Sequence, residues 1–301
     1  LNAFTMSGGT LTFTNWTTTL QASIITLSGN ALFTLPAPFS DTDMSNRVSI
    51  VCDSLHIDST SKIDVSGQGF LALSGPAIPG GYGGGSHGGG AKAYGCPFAA
   101  DTPGGSGGGS GGNPQWGGAG GGVVIIETGH LQLEGKIVAD GGNGTGSKSG
   151  GGASGGIRLI TTTLAGDGSV AARGGGGKGT EGYDGHGGRI SVSYDTAQQK
   201  LLSTPSAITF STRGGTNKNH PGQIGTLAFT DALLFPQEFS WFGTLYLANN
   251  NWDTTGLSFK NCEVGFPPET DLHLVDKLII ENSFFSYAYA PENTTSLKID
   301  G

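Results

Sequence analysis

The stretch GGGVVIIETGHLQLEGKIVADGGNG at 120–144 decides the fold. It reads as a strand (VVIIE, from Val123), a short turn, a second strand (KIVAD) and a glycine-rich return. Related strands begin at Ile157 (IRLIT), Arg189 (RISVSY) and Gly225 (GTLAFT), so the successive spacings, starting at Val123, are 34, 32 and 36 residues. A period in that range marks stacked repeats, because one unit cannot bury its apolar face without a neighbour above and below. The second strand recurs too: SKIDVSGQG at 61–69, GSVAARGGGG at 168–177 and a degenerate AITFSTRGG at 207–215. Ile63 and Val65, Ile137 and Ala139, and Val170 and Ala172 each share one face, and a period of two predicts half-buried strands. The expected fold is therefore all-β, a right-handed parallel β-helix with glycine-rich loops and less regular β ends.

Composition agrees. The chain has 301 residues, 57 of them glycine, with 13% charged residues and almost no apolar spacing of helical type. A hydrophobic content of 35% suits a thin column of core better than a sphere, and the regularly spaced apolar faces argue against disorder. The glycine tracts at 79–95, 103–122, 141–156 and 174–188 admit two readings. They are flexible coil, or they are polyglycine II helices packed side by side, which would tolerate no side chain. The absence of a strict Gly-X-Y period excludes collagen. Residues 47–225 form the glycine-rich body, 1–46 read as N-terminal strands acting as a cap or exchange segment, and 226–301 as further coils or a small β-sandwich.

The succession GQGF at 67–70, GGYGGGSHGGG at 80–90, GGSGGGSGG at 104–112, GGGASGGIRLI at 150–160 and GHGGRISVSY at 185–194 resembles glycine-rich β-helical segments of very large surface proteins. Such proteins occur in protists and bacteria and include adhesin-like and mastigoneme-like molecules. The likeness covers about residues 47–195. It implies a secreted or cell-surface structural or adhesive role and supplies no catalytic residue.

Independent signs of location are the sequons at Asn15, Asn143 and Asn293, candidate acceptors of N-linked glycans. No stretch is long and apolar enough to insert in a membrane as a helix. Leu1 at the start suggests a trimmed product, and SLKIDG at the end reads as the opening of another coil. Cys52 and Cys96 are candidates for a disulfide, with buried free thiols the competing reading and Cys262 left over. A net charge of −8 with scattered basic residues argues against nucleic acid as a partner. No spacing of zinc, nucleotide or calcium-repeat type is complete, so no cofactor is expected.

Because many β-helices act on polysaccharides, carboxylate clusters are candidate catalytic pairs. Asp58 and Asp64 lie near His56, Asp184 lies near His186, Asp64 and Asp140 are about one repeat apart, and Lys178 with Tyr183 would suit a lyase. Solvated turn residues explain each as well. No catalytic set is assigned, and the expectation is a non-enzyme. Most aromatics of the C-terminal third are expected in the core, with Trp241 and Trp252 as exposed contacts for a glycan or another subunit. An open solenoid end pairs readily with another edge, so head-to-tail self-association into a filament is expected. The favoured reading is thus an extracellular structural subunit. The alternative is a glycan-binding adhesin or polysaccharide-degrading enzyme, and ice binding ranks below both.

Overall fold

The computed structural model describes residues 1–39, 44–77, 80–89, 104–108, 116–204, 206–216, 219–236, 238–248, 254–266, 271–287 and 296–299. Twenty strands follow one another: β1 (Ala3–Ser7), β2 (Thr10–Thr12), β3 (Leu20–Ser28), β4 (Leu32–Thr34), β5 (Val48–Ile57), β6 (Lys62–Asp64), β7 (Val123–Leu133), β8 (Lys136–Val138), β9 (Gly156–Ala165), β10 (Ser169–Ala171), β11 (Arg189–Ser193), β12 (Thr209–Ser211), β13 (Thr226–Phe229), β14 (Glu238–Phe239), β15 (Phe242–Leu247), β16 (Thr254–Lys260), β17 (Glu263–Phe266), β18 (Asp271–Glu281), β19 (Phe284–Tyr287) and β20 (Ser296–Ile299). One four-residue helix, α1 (Thr196–Gln199), is capped by the Asp195 carboxylate.

Every strand pairing among these is parallel, and long and short strands alternate along the chain as far as β13. The long strands stack as β1-β3-β5-β7-β9-β11-β13-β15 and the short ones as β2-β4-β6-β8-β10-β12, which meets β15 at Ser211 and Phe242. The chain is a parallel β-helix. β14, β16, β18 and β20 add a separate parallel sheet near the C terminus. β1 to β4 form the first coils of the same column.

Parallel stacking puts like beside like. Ile63, Ile137, Val170 and Phe210 line up on the short face, and Ile50, Ile126, Leu159, Val192 and Phe229 run along the long face. All are buried in one continuous column of core. Each fully buried aliphatic or aromatic side chain contributes about 1.5–3 kcal/mol relative to exposure, so the column holds the coils in register.

Coil length varies sharply. Partnered residues are 30 apart from β3 to β5 (Ile24, Ser54), 76 from β5 to β7 (Ser54, His130) and 33 from β7 to β9 (His130, Thr163). The following steps are 33 (Gly156, Arg189) and 37 (Arg189, Thr226), then 18 (Thr226, Thr244) and 21 (Thr244, Gly265). The long coils carry the glycine tracts.

Candidate functional site

The glycine tracts are ordered over their described residues. They run beside the column as a bundle whose backbone hydrogen bonds recur every third residue. The amides of Gly151 and Ser154 donate to Tyr183 and His186, those of Gly118 and Gly121 donate to Gly150 and Ala153, and those of Asp184 and Gly187 donate to His220 and Gln223. Antiparallel neighbours obey the same step: Gly152 and Gly155 donate to Gly142 and Ala139, and Gly185 and Gly188 donate to Gly175 and Ala172. A repeat of three residues per turn is the signature of a polyglycine or polyproline II helix, whose peptide groups point outward and have no partner within their own strand. Here those groups are satisfied laterally. The 149–156 tract exchanges hydrogen bonds with six others: 82–89, 104–108, 116–122, 139–144, 172–178 and 182–188. That is a hexagonal arrangement, and the buried polar backbone is paired as burial demands.

Glycine serves close approach here. A Cβ on Gly120 would stand 1.6 Å from the Gly105 carbonyl oxygen, one on Gly155 1.8 Å from that of Gly122, and one on Gly185 1.9 Å from that of Gly152. None of these three has a φ in the left-handed region, so it is lateral space and not backbone dihedral that excludes other residues.

Side chains enter the bundle only at tuned positions. His87, fully buried, donates from Nδ1 to the carbonyl oxygens of Ser154 and Gly155, 3.0 Å each. Burial, with the neighbouring Arg189 guanidinium second, pulls its imidazole down to about 3, so it is neutral. Asp184, 1% exposed, accepts from the Gly177 amide at 2.6 Å. His186 accepts from the Gln223 amide at 2.8 Å, and burial lowers its pKa. Asp184 and His186, paired on sequence grounds as a candidate catalytic cluster, therefore serve the lattice as hydrogen-bonding struts.

The other sequence candidates separate. Asp58 closes a turn, accepting from the Gly29 and Thr60 amides at 3.0 Å. Burial opposes ionisation there, but the bonds from Ser61, Thr60 and Gly29 outweigh it and hold the carboxyl at about 2. Asp64 binds Lys62 at 2.7 Å and pairs in register with Val138, whereas Asp140 holds Arg173 through Nε and Nη2 at 3.0 and 2.6 Å. Tyr183 stacks on His220, with ring centroids 3.9 Å apart, and Lys178 donates to the Thr145 carbonyl. No group of three His, Cys, Asp or Glu residues able to hold a metal occurs among the described residues.

Asn15 and Asn143 are exposed. The Asn15 carboxamide oxygen accepts from the Thr17 and Thr18 amides at 3.0 and 2.7 Å, and that of Asn143 accepts from Gly176 at 2.7 Å. Asn293, Cys96 and Trp252 lie outside the described residues. Cys52 carries a buried free thiol that donates to Thr128 Oγ1, and burial raises its pKa; Cys262 is likewise buried and free. Trp241 corrects an expectation. Instead of standing at the surface it is 3% exposed, packed edge-on to Phe210 and Phe239 and stacked with Phe229, because those rings enclose it inside the column.

Sequence reasoning missed a cleft of about 550 Å³ on the outer side of the long face. His130, Gln132 and Glu134 form one wall, Ala165 to Asp167 another, and Leu202 to Thr204 with Ala207 the third. Parallel pairing sets His56 beside Gln132, and His56 Nε2 then meets Glu134 Oε2 at 2.8 Å, while Gln132 Nε2 donates to Glu134 Oε1. The third wall is pinned by the buried Gln199 side chain on α1, which donates to the Leu164 carbonyl and accepts from its amide, both at 2.8 Å. Glu134 in this cleft is held by a residue 78 positions earlier in the chain, and only the alternation along β7 hinted at a common face.

Comparison of the chain with protein families, curated proteins and solved structures yields no match.

Proposed function

We propose that the protein is an extracellular structural protein, a stiff solenoid subunit of a filament, appendage or surface coat. The observation that carries this reading is the glycine lattice beside the column. The 149–156 tract alone is tied to six neighbours drawn from several coils, so bending the column between those coils would break many lateral hydrogen bonds together. The resemblance to surface-protein segments and the exposed sequons at Asn15 and Asn143 support an extracellular setting. All strand pairings run parallel, so a second copy placed end to end would continue the ladder without reversing strand direction. Electron microscopy over a concentration series tests this: rods that lengthen by whole subunits are expected. Monomers alone at millimolar protein would sink the assembly reading.

A further inference from the structure

We infer that the cleft between β7, the 165–167 turn and the 202–204 segment is a binding site for an uncharged saccharide. The volume of about 550 Å³ falls in the range of small-molecule sites. Several of its polar groups converge on the space without using up their hydrogen-bonding capacity on one another. Glu134 is held in place by His56 and Gln132, and His130 is fixed through Nδ1 to Thr163 Oγ1 at 2.7 Å, which leaves its Nε2 as the remaining ring nitrogen. Among the described residues, the Asp167 carboxylate and the Ser203 and Thr204 hydroxyls hydrogen-bond no other group, though they line the same space.

The chemistry of the lining selects the ligand by exclusion. Among the described residues no Lys or Arg lines the cleft, and Glu134 and Asp167 give it acidic character, so phosphate, sulfate and uronate groups are repelled. Its apolar residues are Ala165, Leu202 and Ala207, too little surface for a wholly apolar ligand. No set of three His, Cys, Asp or Glu ligands is present to hold a metal among the described residues. An organic cation would draw on Asp167 alone, since His56 and Gln132 already engage Glu134, and would leave the Ser203 and Thr204 hydroxyls unused; a molecule that both donates and accepts many hydrogen bonds while carrying no charge uses the whole lining. Vicinal hydroxyls offered to carboxylates, an amide and two hydroxyls meet that description. Residues 130 and 132 project about 6.6 Å apart along a strand whose partners on both sides hold it rigid, so the site is preorganised. On this reading the solenoid carries its own attachment point for a glycan. The inference does not depend on the filament proposal.

Isothermal titration and saturation-transfer NMR on the whole chain test it, with cellotetraose and chitotetraose as uncharged probes, tetragalacturonate as an acidic one and spermidine as a cationic one. Binding of at least one uncharged probe is expected, weakened at least tenfold by Asp167→Asn and by Gln132→Ala, with tetragalacturonate inert. Thermal melts of both variants are expected to overlay the parent, since neither side chain is core, and Glu238→Gln on β14 is expected to bind as the parent does. Failure of both uncharged probes, binding untouched by the two variants, or preference for spermidine or tetragalacturonate would each overturn the assignment. None of these outcomes bears on rod formation, which is read separately by microscopy.

Discussion

The coils from β5 to β13 and those after β13 solve the same problem by opposite means. In the first group a step along the column takes 33 to 76 residues, and part of the surplus forms a lattice that admits side chains at few positions. In the second a step takes 18 to 21 residues, and stability comes from large rings, with Trp241 enclosed by Phe210, Phe229, Phe235 and Phe239. One region is stabilised by how closely backbones approach, the other by how much ring surface is buried. Adding a methyl group should be ruinous in the first and tolerable in the second, and removing volume should do the reverse.

The largest expected effect is Gly155→Ala. Its Cβ would stand 1.8 Å from a backbone carbonyl oxygen that lateral bonds hold in place, so a loss of about 3–5 kcal/mol or failure to fold is expected by chemical denaturation. Gly80→Ala, where nothing lies within 4 Å, supplies the contrast and should shift stability by less than about 0.5 kcal/mol. Equal effects at the two sites would break the comparison. In the aromatic region Trp241→Ala should cost about 3–5 kcal/mol through the cavity it leaves, measured the same way.

Acid should act on the glycine region first. His87 is held at about 3 in the fold, whereas an unfolded histidine titrates near about 6.5. Between those values the unfolded chain binds the extra proton, so stability falls as pH is lowered, by at most about 1.4 kcal/mol per unit from this group. Hydrogen exchange between pH 6.5 and 3 should show glycine-tract amides losing protection before those of β15 and β17, and His87→Asn should flatten the trend. Asp58, held at about 2, contributes stability that is lost only as pH falls from about 4 through 2, a separate window. The smallest effect is Asp140→Asn. Its Arg173 partner is half exposed, so loosening that link should cost under about 1 kcal/mol in a melt.

Much of the column was legible from residues. The alternation of Ile63, Val65, Ile137, Ala139, Val170 and Ala172 gave the short face and its stacking, because a strand with one buried face fixes its own phase. The 76-residue step was not legible. Its three described glycine tracts lack the side-chain pattern that would mark where each belongs. Trp241 was misplaced for a related reason: an aromatic-rich segment looks the same whether its rings line an interior or a surface. The cleft escaped notice because Glu134 and His56 are 78 residues apart and become neighbours only through parallel stacking.

By itself the sequence determined a parallel solenoid, since apolar residues recurring at period two within a longer period can be buried only by stacking. Whether the glycine tracts were coil or lattice was decided by tertiary structure alone. A polyglycine II strand has no hydrogen bond of its own, so its order exists only when neighbours from other coils stand close enough to accept and donate.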